Sequence, residues 1–168
     1  MESIWSQSCE IRRRDRLPGD LETEVAVIGG GMAGMLIAAT LQEAGRRVVV
    51  LEANRIASGQ TRNTTAKITS QHGMIYHRLL QTLGEERARQ YAQANETAIQ
   101  AYRMLISAKH IACDFEECSA YVYADQEELL QKEAEAAIKL GISATLVDKI
   151  AVPVPNAGAV RFLSLIHI

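Results

Sequence analysis

Cysteine is scarce in this chain: Cys9, Cys113 and Cys118 are three thiols in 168 residues, an odd number with no CxxC pair. That argues against a disulfide framework and a zinc site, and reduced thiols in a cytoplasmic protein are the expectation; no metal is expected. An excess of one charge is missing too. Eighteen Lys and Arg against 20 Asp and Glu leave a net charge of -2, so the basic surplus of a nucleic-acid binder is absent. The local exception, Arg12-Arg13-Arg14-Asp15-Arg16, is read as a solvated N-terminal arm. Long hydrophobic runs are lacking as well. The longest, Val25 to Leu41, is broken by Gly29, Gly30, Gly31, Gly34 and Thr40, and it starts too far from Met1 for a signal peptide. Neither a membrane span nor a targeting segment is read, and there is no internal repeat or low-complexity tract.

What remains is an ordinary globular composition, 48% hydrophobic and 23% charged, in a length sufficient for one domain with a core. Residues 1–20 read as an irregular arm that turns at Pro18-Gly19-Asp20. Glu24 to Ile28 is short, β-branched and apolar, as expected of a strand buried on both faces. Helical spacing follows at Met35, Leu36, Ala39 and Leu41, with Gly45 as the stop. Val48 to Leu51 reads as a second buried strand ending at Glu52, which completes a βαβ unit. The stretch from Ile56 to Gly73 is polar, rich in small residues and too long for an ordinary connection. Beyond it, Ile75, Leu79 and Leu80 resume a helical spacing, and Glu85 to Lys109 carries one long apolar stripe. Two short strands are expected around Cys113 to Glu116 and Ala120 to Tyr123, a helix over Gln126 to Leu140 stopped by Gly141, and a strand at Ala144 to Val147. Pro153 and Pro155 mark an irregular crossing.

The chemistry concentrates in Gly29-x-Gly31-x-x-Gly34, placed directly after a strand and opening a helix. Gly29 suits the tight exit from the strand, Gly31 a close approach of backbone to a pyrophosphate, and Gly34 close packing of helix on sheet. The intervening Gly30, Met32 and Ala33 complete the turn, whose amides and helix dipole suit an anion. Glu52, eighteen residues after Gly34, stands where a carboxylate can accept hydrogen bonds from both ribose hydroxyls, with Ala53 beside it. Such an acid disfavours a 2′-phosphate. Both FAD and NAD use this unit, and the glycines alone would also suit a turn that binds nothing.

Glu24 to Glu52 resembles the amino-terminal fingerprint of the FAD-dependent oxidoreductases of the D-amino-acid-oxidase-like group, which includes glycine oxidase and γ-glutamylputrescine oxidase. "RIASGQTRNTTAKITSQHG" is similar to that group's loop running along the pyrophosphate toward the flavin, with Thr61, Arg62, Asn63, Thr64 and Thr65 at its core. The Thr-Thr-Ala-Lys version is most similar to bacterial members that often carry a Rieske iron-sulfur domain. Weaker likeness extends through "YVYA" at Tyr121 to Ala124 and "AGAVRF" at Ala157 to Phe162. The resemblance implies FAD, an amine or amino acid substrate and hydride transfer to flavin. Where some relatives attach flavin through a histidine, this chain has Asn63, which implies non-covalent FAD.

His72, His77 and Lys67 are read as surface or helix-start residues without a catalytic partner, and Cys113 and Cys118 as thiols that do no chemistry. No catalytic residue is assigned, because in this group substrate contacts fall largely beyond Phe162. The final hexapeptide, "LSLIHI", reads as the in-frame translation of a transposon end used in sequencing libraries, where relatives continue with a Pro-Asn-Gln type of segment. Residues 163–168 are therefore expected to be a non-native tail and the chain to be the truncated start of a parent more than twice as long.

The expected fold class is α/β: a Rossmann-like FAD-binding βαβ unit, then helices and the start of a mixed α+β substrate domain. The expected segments are an arm at 1–20, the FAD-binding unit and its loop at 21–83, a helical segment and the start of the substrate domain at 84–162, and the tail. An NAD-dependent dehydrogenase and a fragment without activity of its own are the alternatives. Strand edges and apolar faces left uncovered predict marginal stability in isolation.

Overall fold

The computed structural model describes residues 10–148, 150 and 152–167, with the backbone alone for 164–167. Cys9 and Ile168 lie outside the described residues, as does most of the first half of the arm. The chain divides into two compact units, the first ending at Thr65 and the second beginning at Ala66.

In the first unit, β1 (Val25–Ile28) and β2 (Val48–Leu51) pair in parallel, from Val25 opposite Val48 to Ile28 opposite Leu51. The helix α1 (Met32–Glu43) connects them. It starts three residues before the first position of the apolar spacing, directly after the glycine turn. Its end is set by Gly45, whose φ of +78° favours glycine. There Gly45 N–H donates to the Gln42 carbonyl and Arg46 N–H to that of Leu41, the paired bonds of a Schellman stop. One expectation fails: β1 alternates half-buried and exposed positions, and Ile28 is 78% exposed. Two strands under one helix bury one face of the sheet, so a continuous apolar run does not ensure double burial here.

The second unit is a four-stranded antiparallel sheet backed by helices. Its strands are β3 (Lys67–Thr69), β4 (Glu116–Ala124), β5 (Ala144–Val147) and β6 (Gly158–His167). The long β6 pairs with all three others, β4 along one edge, β3 and β5 along the opposite one. On one face lie α2 (Tyr76–Ala108) and α3 (Glu127–Lys139), and Tyr76, Ala88, Leu130, Ala137, Val160 and Phe162 lie in the core between helices and sheet. Three expectations are corrected. The two short strands around Cys113 and Ala120 are one strand, Glu116–Ala124, with a register irregularity between Cys118 and Ala120 and with Cys113 in the loop before it. β3 lies inside the stretch read as a loop, because three residues are too few to show an alternation. β6 is not among the strands expected from the sequence, where Ala157 to Phe162 carries only the family likeness and 163–168 is read as a tail. Its backbone continues to His167, opposite Lys67 and Glu116.

Within α2, Gly84 has φ +76° and ψ 168°, which breaks the helix into a short first part and a long second part starting at Glu85. The first part begins on a buried carboxylate from α3. Glu133 is 1% exposed, and its two oxygens accept the N–H groups of Ile75, Tyr76 and His77, each at 2.9 Å. A helix start leaves such donors without intrahelical partners, and a charged acceptor satisfies three at once.

Candidate functional site

The site is built at the joint of β1, α1 and β2. The last sheet bond runs from Gly29 N–H to the Leu51 carbonyl at 2.8 Å. Gly29 then takes a φ of +101°, a conformation that L side chains rarely adopt. Gly30, which is buried, donates its N–H to Glu52 Oε2 at 2.8 Å and accepts from Ala57 N–H at 2.8 Å. A methyl group at Gly30 would stand 3.2 Å from both Glu52 Cβ and Ile56 Cγ1. At Gly34 it would stand 2.0 Å from the Gly29 carbonyl oxygen, so turn and first helical turn pack backbone on backbone.

Gly31 is the N-cap of α1 and offers no capping side chain. Thr61 acts instead: its Oγ1 accepts the Met32 N–H at 3.0 Å and lies 3.5 Å from where a Gly31 Cβ would be. Among the described residues none accepts the N–H of Gly31, Ala33 or Gly34. Free donors at the positive end of a 12-residue helix, over backbone with no side chain at Gly29, Gly30 and Gly31, make a concavity that suits a phosphate.

Glu52 joins this turn to the end of β2. Its second oxygen, Oε1, accepts the Asn54 N–H at 2.9 Å. The amides of Asn54 and Gly30, and that of Ala53 with them, hold its carboxyl below the usual value of 4.5 against an opposing effect of burial. The group is thus a fixed anion, and its remaining lone pairs can accept hydroxyl donors. Glu52 also lies in the wall of a groove between the Ile11–Pro18 segment and Val49 to Ile56.

The structure therefore brings together Gly29, Gly30, Gly31, Met32, Ala33, Gly34, Glu52 and Thr61, with Ala53 exposed beside the carboxylate. Arg62 and Asn63 sit on a 3-10 turn (Gln60–Asn63) and are exposed, as are Thr64 and Thr65 after it. Asn63 bonds to Gly59 within that turn, at 3.4 Å. Sequence reasoning places Gly30 in the cofactor-binding turn but does not show its bond to Glu52, Ile56 beneath it or the Thr61 bond to Met32. The three consecutive glycines were the available signal.

Elsewhere, His72 is exposed, as read from the sequence, and its Nδ1 is 3.1 Å from the Tyr91 hydroxyl. Nineteen residues separate the two in sequence, and only the fold of the second unit makes them neighbours. His77 is at the start of α2, and Lys67 is exposed at the start of β3. Cys113 and Cys118 are free and half-buried, and burial pushes the Cys118 thiol up. Among the described residues no three His, Cys, Asp or Glu gather as metal ligands, and no helix is long and apolar enough to cross a membrane.

Parallel strands joined through a glycine turn and a helix, with an acid just past the second strand bonded to the turn, are the arrangement that recurs in dinucleotide-binding α/β proteins. The chain belongs to the family of FAD-dependent oxidoreductases typified by D-amino-acid oxidase, whose profile it matches over residues 24–163. It is 38% identical over 155 residues to a Bacillus subtilis protein named as a Rieske 2Fe-2S iron-sulfur protein, covering 90% of this chain and 30% of that one. It is 27% identical over 121 residues to γ-glutamylputrescine oxidoreductase of Escherichia coli, covering 72% and 28% respectively. Among solved structures, an L-amino acid deaminase of Proteus myxofaciens superimposes with a TM-score of 0.68 at 16% identity, over 92% of this chain and 34% of that one. The chain thus spans under a third of the length of these curated relatives.

Proposed function

We propose that the glycine turn and Glu52 hold the pyrophosphate and adenosine ribose of a non-covalent FAD, in the amino-terminal part of an oxidoreductase acting on an amine or amino acid. The observation that carries this reading is the double use of Glu52, which braces the turn through Gly30 while keeping lone pairs for ribose hydroxyls. The bound flavin would supply the redox chemistry, accepting hydride from the carbon next to nitrogen. The chain's own part is binding and orientation. Gly31, Ala33 and Gly34 offer N–H groups to phosphate oxygens at the start of α1, and Thr61 fixes the Met32 amide between them. Thr61 to Thr65 would line the approach of the bound cofactor. Arg62, which is exposed, offsets phosphate charge there. Asn63 supplies no nucleophile for a covalent flavin link, which favours release of intact FAD on denaturation. Similarity to a Rieske-named protein supports an iron-sulfur domain elsewhere in the parent polypeptide, and free thiols at Cys113 and Cys118 fit a cytoplasmic setting.

Titration of the 168-residue chain with FAD, followed by flavin fluorescence, tests the reading. Saturable quenching is expected, weakened about tenfold by Glu52→Ala, a change of ~1.4 kcal/mol. Equal affinity in wild type and variant, or no binding at all, would overturn it.

A further inference from the structure

Four arginines of the first unit take no part in holding the fold. Residues 10–18 form neither helix nor strand, and Arg12, Arg13, Arg14 and Arg16 are all exposed and make no ion pair among the described residues. The acids of this stretch are Glu10 and Asp15, also exposed, and Asp20 lies beyond the bend at Gly19. Large apolar side chains bracket the arginines: Ile11 is 44%, Leu17 52% and Leu21 55% exposed. Outside residues 12–16 the chain carries 14 Lys and Arg against 19 Asp and Glu, so net attraction for a polyanion resides in this segment.

A partner that satisfies the segment must supply anions for the guanidinium groups and hydrocarbon for Ile11, Leu17 and Leu21. Nucleic acid and acidic polypeptide supply the first. A bilayer with anionic headgroups supplies both, because guanidinium pairs with phosphate while neighbouring apolar side chains enter the acyl boundary. We propose that residues 11–21 form a peripheral membrane-binding arm that docks on anionic phospholipid. A basic side chain near such a surface strengthens binding about fivefold, so docking by this arm is reversible and sensitive to salt. A segment outside every helix and strand can flatten on headgroups without disrupting an element. The inference does not rest on the cofactor reading above.

Cosedimentation of the 168-residue chain with vesicles of phosphatidylcholine alone, and of phosphatidylcholine mixed with phosphatidylglycerol, tests the arm. Saturable binding is expected on the mixed vesicles, at least about tenfold stronger than on the neutral ones, and it should fall as salt is raised. Arg13→Gln combined with Arg14→Gln should weaken it more than about tenfold. Ile11→Ser combined with Leu17→Ser keeps all four arginines and should still weaken it severalfold. Both pairs lie outside the helices and strands, and far-ultraviolet circular dichroism checks that the fold persists. A duplex oligonucleotide and polyglutamate are titrated alongside. Equal binding to neutral and anionic vesicles, unchanged binding in either double variant, or tighter binding of the oligonucleotide or of polyglutamate than of the anionic vesicles overturns the proposal.

Discussion

A single methyl group distinguishes what the glycines at the turn do. At Gly34 it would overlap a backbone oxygen that cannot rotate away, whereas at Gly30 it would press on side-chain carbons that can yield by a few tenths of an ångström. Gly34→Ala is therefore expected to destabilise the first unit by ~3 kcal/mol and to abolish FAD quenching, and Gly30→Ala to cost ~1 kcal/mol with partial binding retained. Thermal unfolding and the FAD titration check that order, and a milder Gly34 variant would contradict the packing described. Glu52 makes a pH prediction. Its folded pKa is depressed, so the stability it contributes is present above its ordinary value of 4.5 and is lost as pH falls through the lower folded value. Glu52→Gln should flatten the acid limb of the stability profile in that range. Tyr76 works in the opposite sense. Burial pushes its hydroxyl up from 10.0 to about 12, and that hydroxyl donates to the Ser70 carbonyl. Its contribution is full below pH 10.0 and is lost as pH rises through about 12. Tyr76→Phe should cost ~1 kcal/mol at neutral pH and remove this alkaline component in urea titrations.

Among the elements, the helix stops were legible and the helix starts were not. Gly45 and Gly141 ended α1 and α3 as anticipated, because an αL stop depends on a residue type next to the helix. Neither α1 nor α2 has a side-chain cap from its own N-cap residue. Their donors are met by Thr61 and by Glu133, each remote in sequence. The available clue to Glu133 was its place on the apolar stripe of α3, between Leu130 and Ala137, where a carboxylate needs partners. Glu133→Ala should unfold α2's first part most readily and lower stability by ~3 kcal/mol in urea titrations, with Glu133→Gln intermediate because one neutral oxygen remains as acceptor. An effect below that of an ordinary surface change would show that water can replace the carboxylate. The strands divide similarly: β1, β2 and β5 declared themselves as compact apolar runs, whereas β3 is three residues long and β4 is interrupted at Cys118 and Ala120.

Across the whole molecule, burial is unequal. The core residues Tyr76, Ala88, Leu130, Ala137, Val160 and Phe162 all belong to the second unit, while in the first Ile28, Met32, Met35 and Ile37 are exposed and, among the described residues, the buried apolar side chain is that of Ala38. Opening free energy follows local burial. Hydrogen exchange should accordingly be faster at β1 and β2 than at the centre of β6, and FAD should slow exchange selectively in the first unit. Equal protection in both units would contradict the burial pattern. Exposed apolar side chains at Ile28 and Ile37 should also bind a hydrophobic dye more strongly in the wild type than in a variant carrying Ile28→Thr and Ile37→Thr.

Local chemistry in the chain's own order was enough to establish the βαβ unit, its glycine turn and the acid at its end. Each depends on residues within about thirty positions, where strand, turn and helix preferences act without distant help. Tertiary structure alone decided that Thr61 caps α1, that Glu133 caps α2, that His72 meets Tyr91 and that Arg161 stands between Tyr121 and Thr145. Those pairings join residues 16 to 58 positions apart, and a contact at such separation is specified by packing and strand register rather than by any local preference.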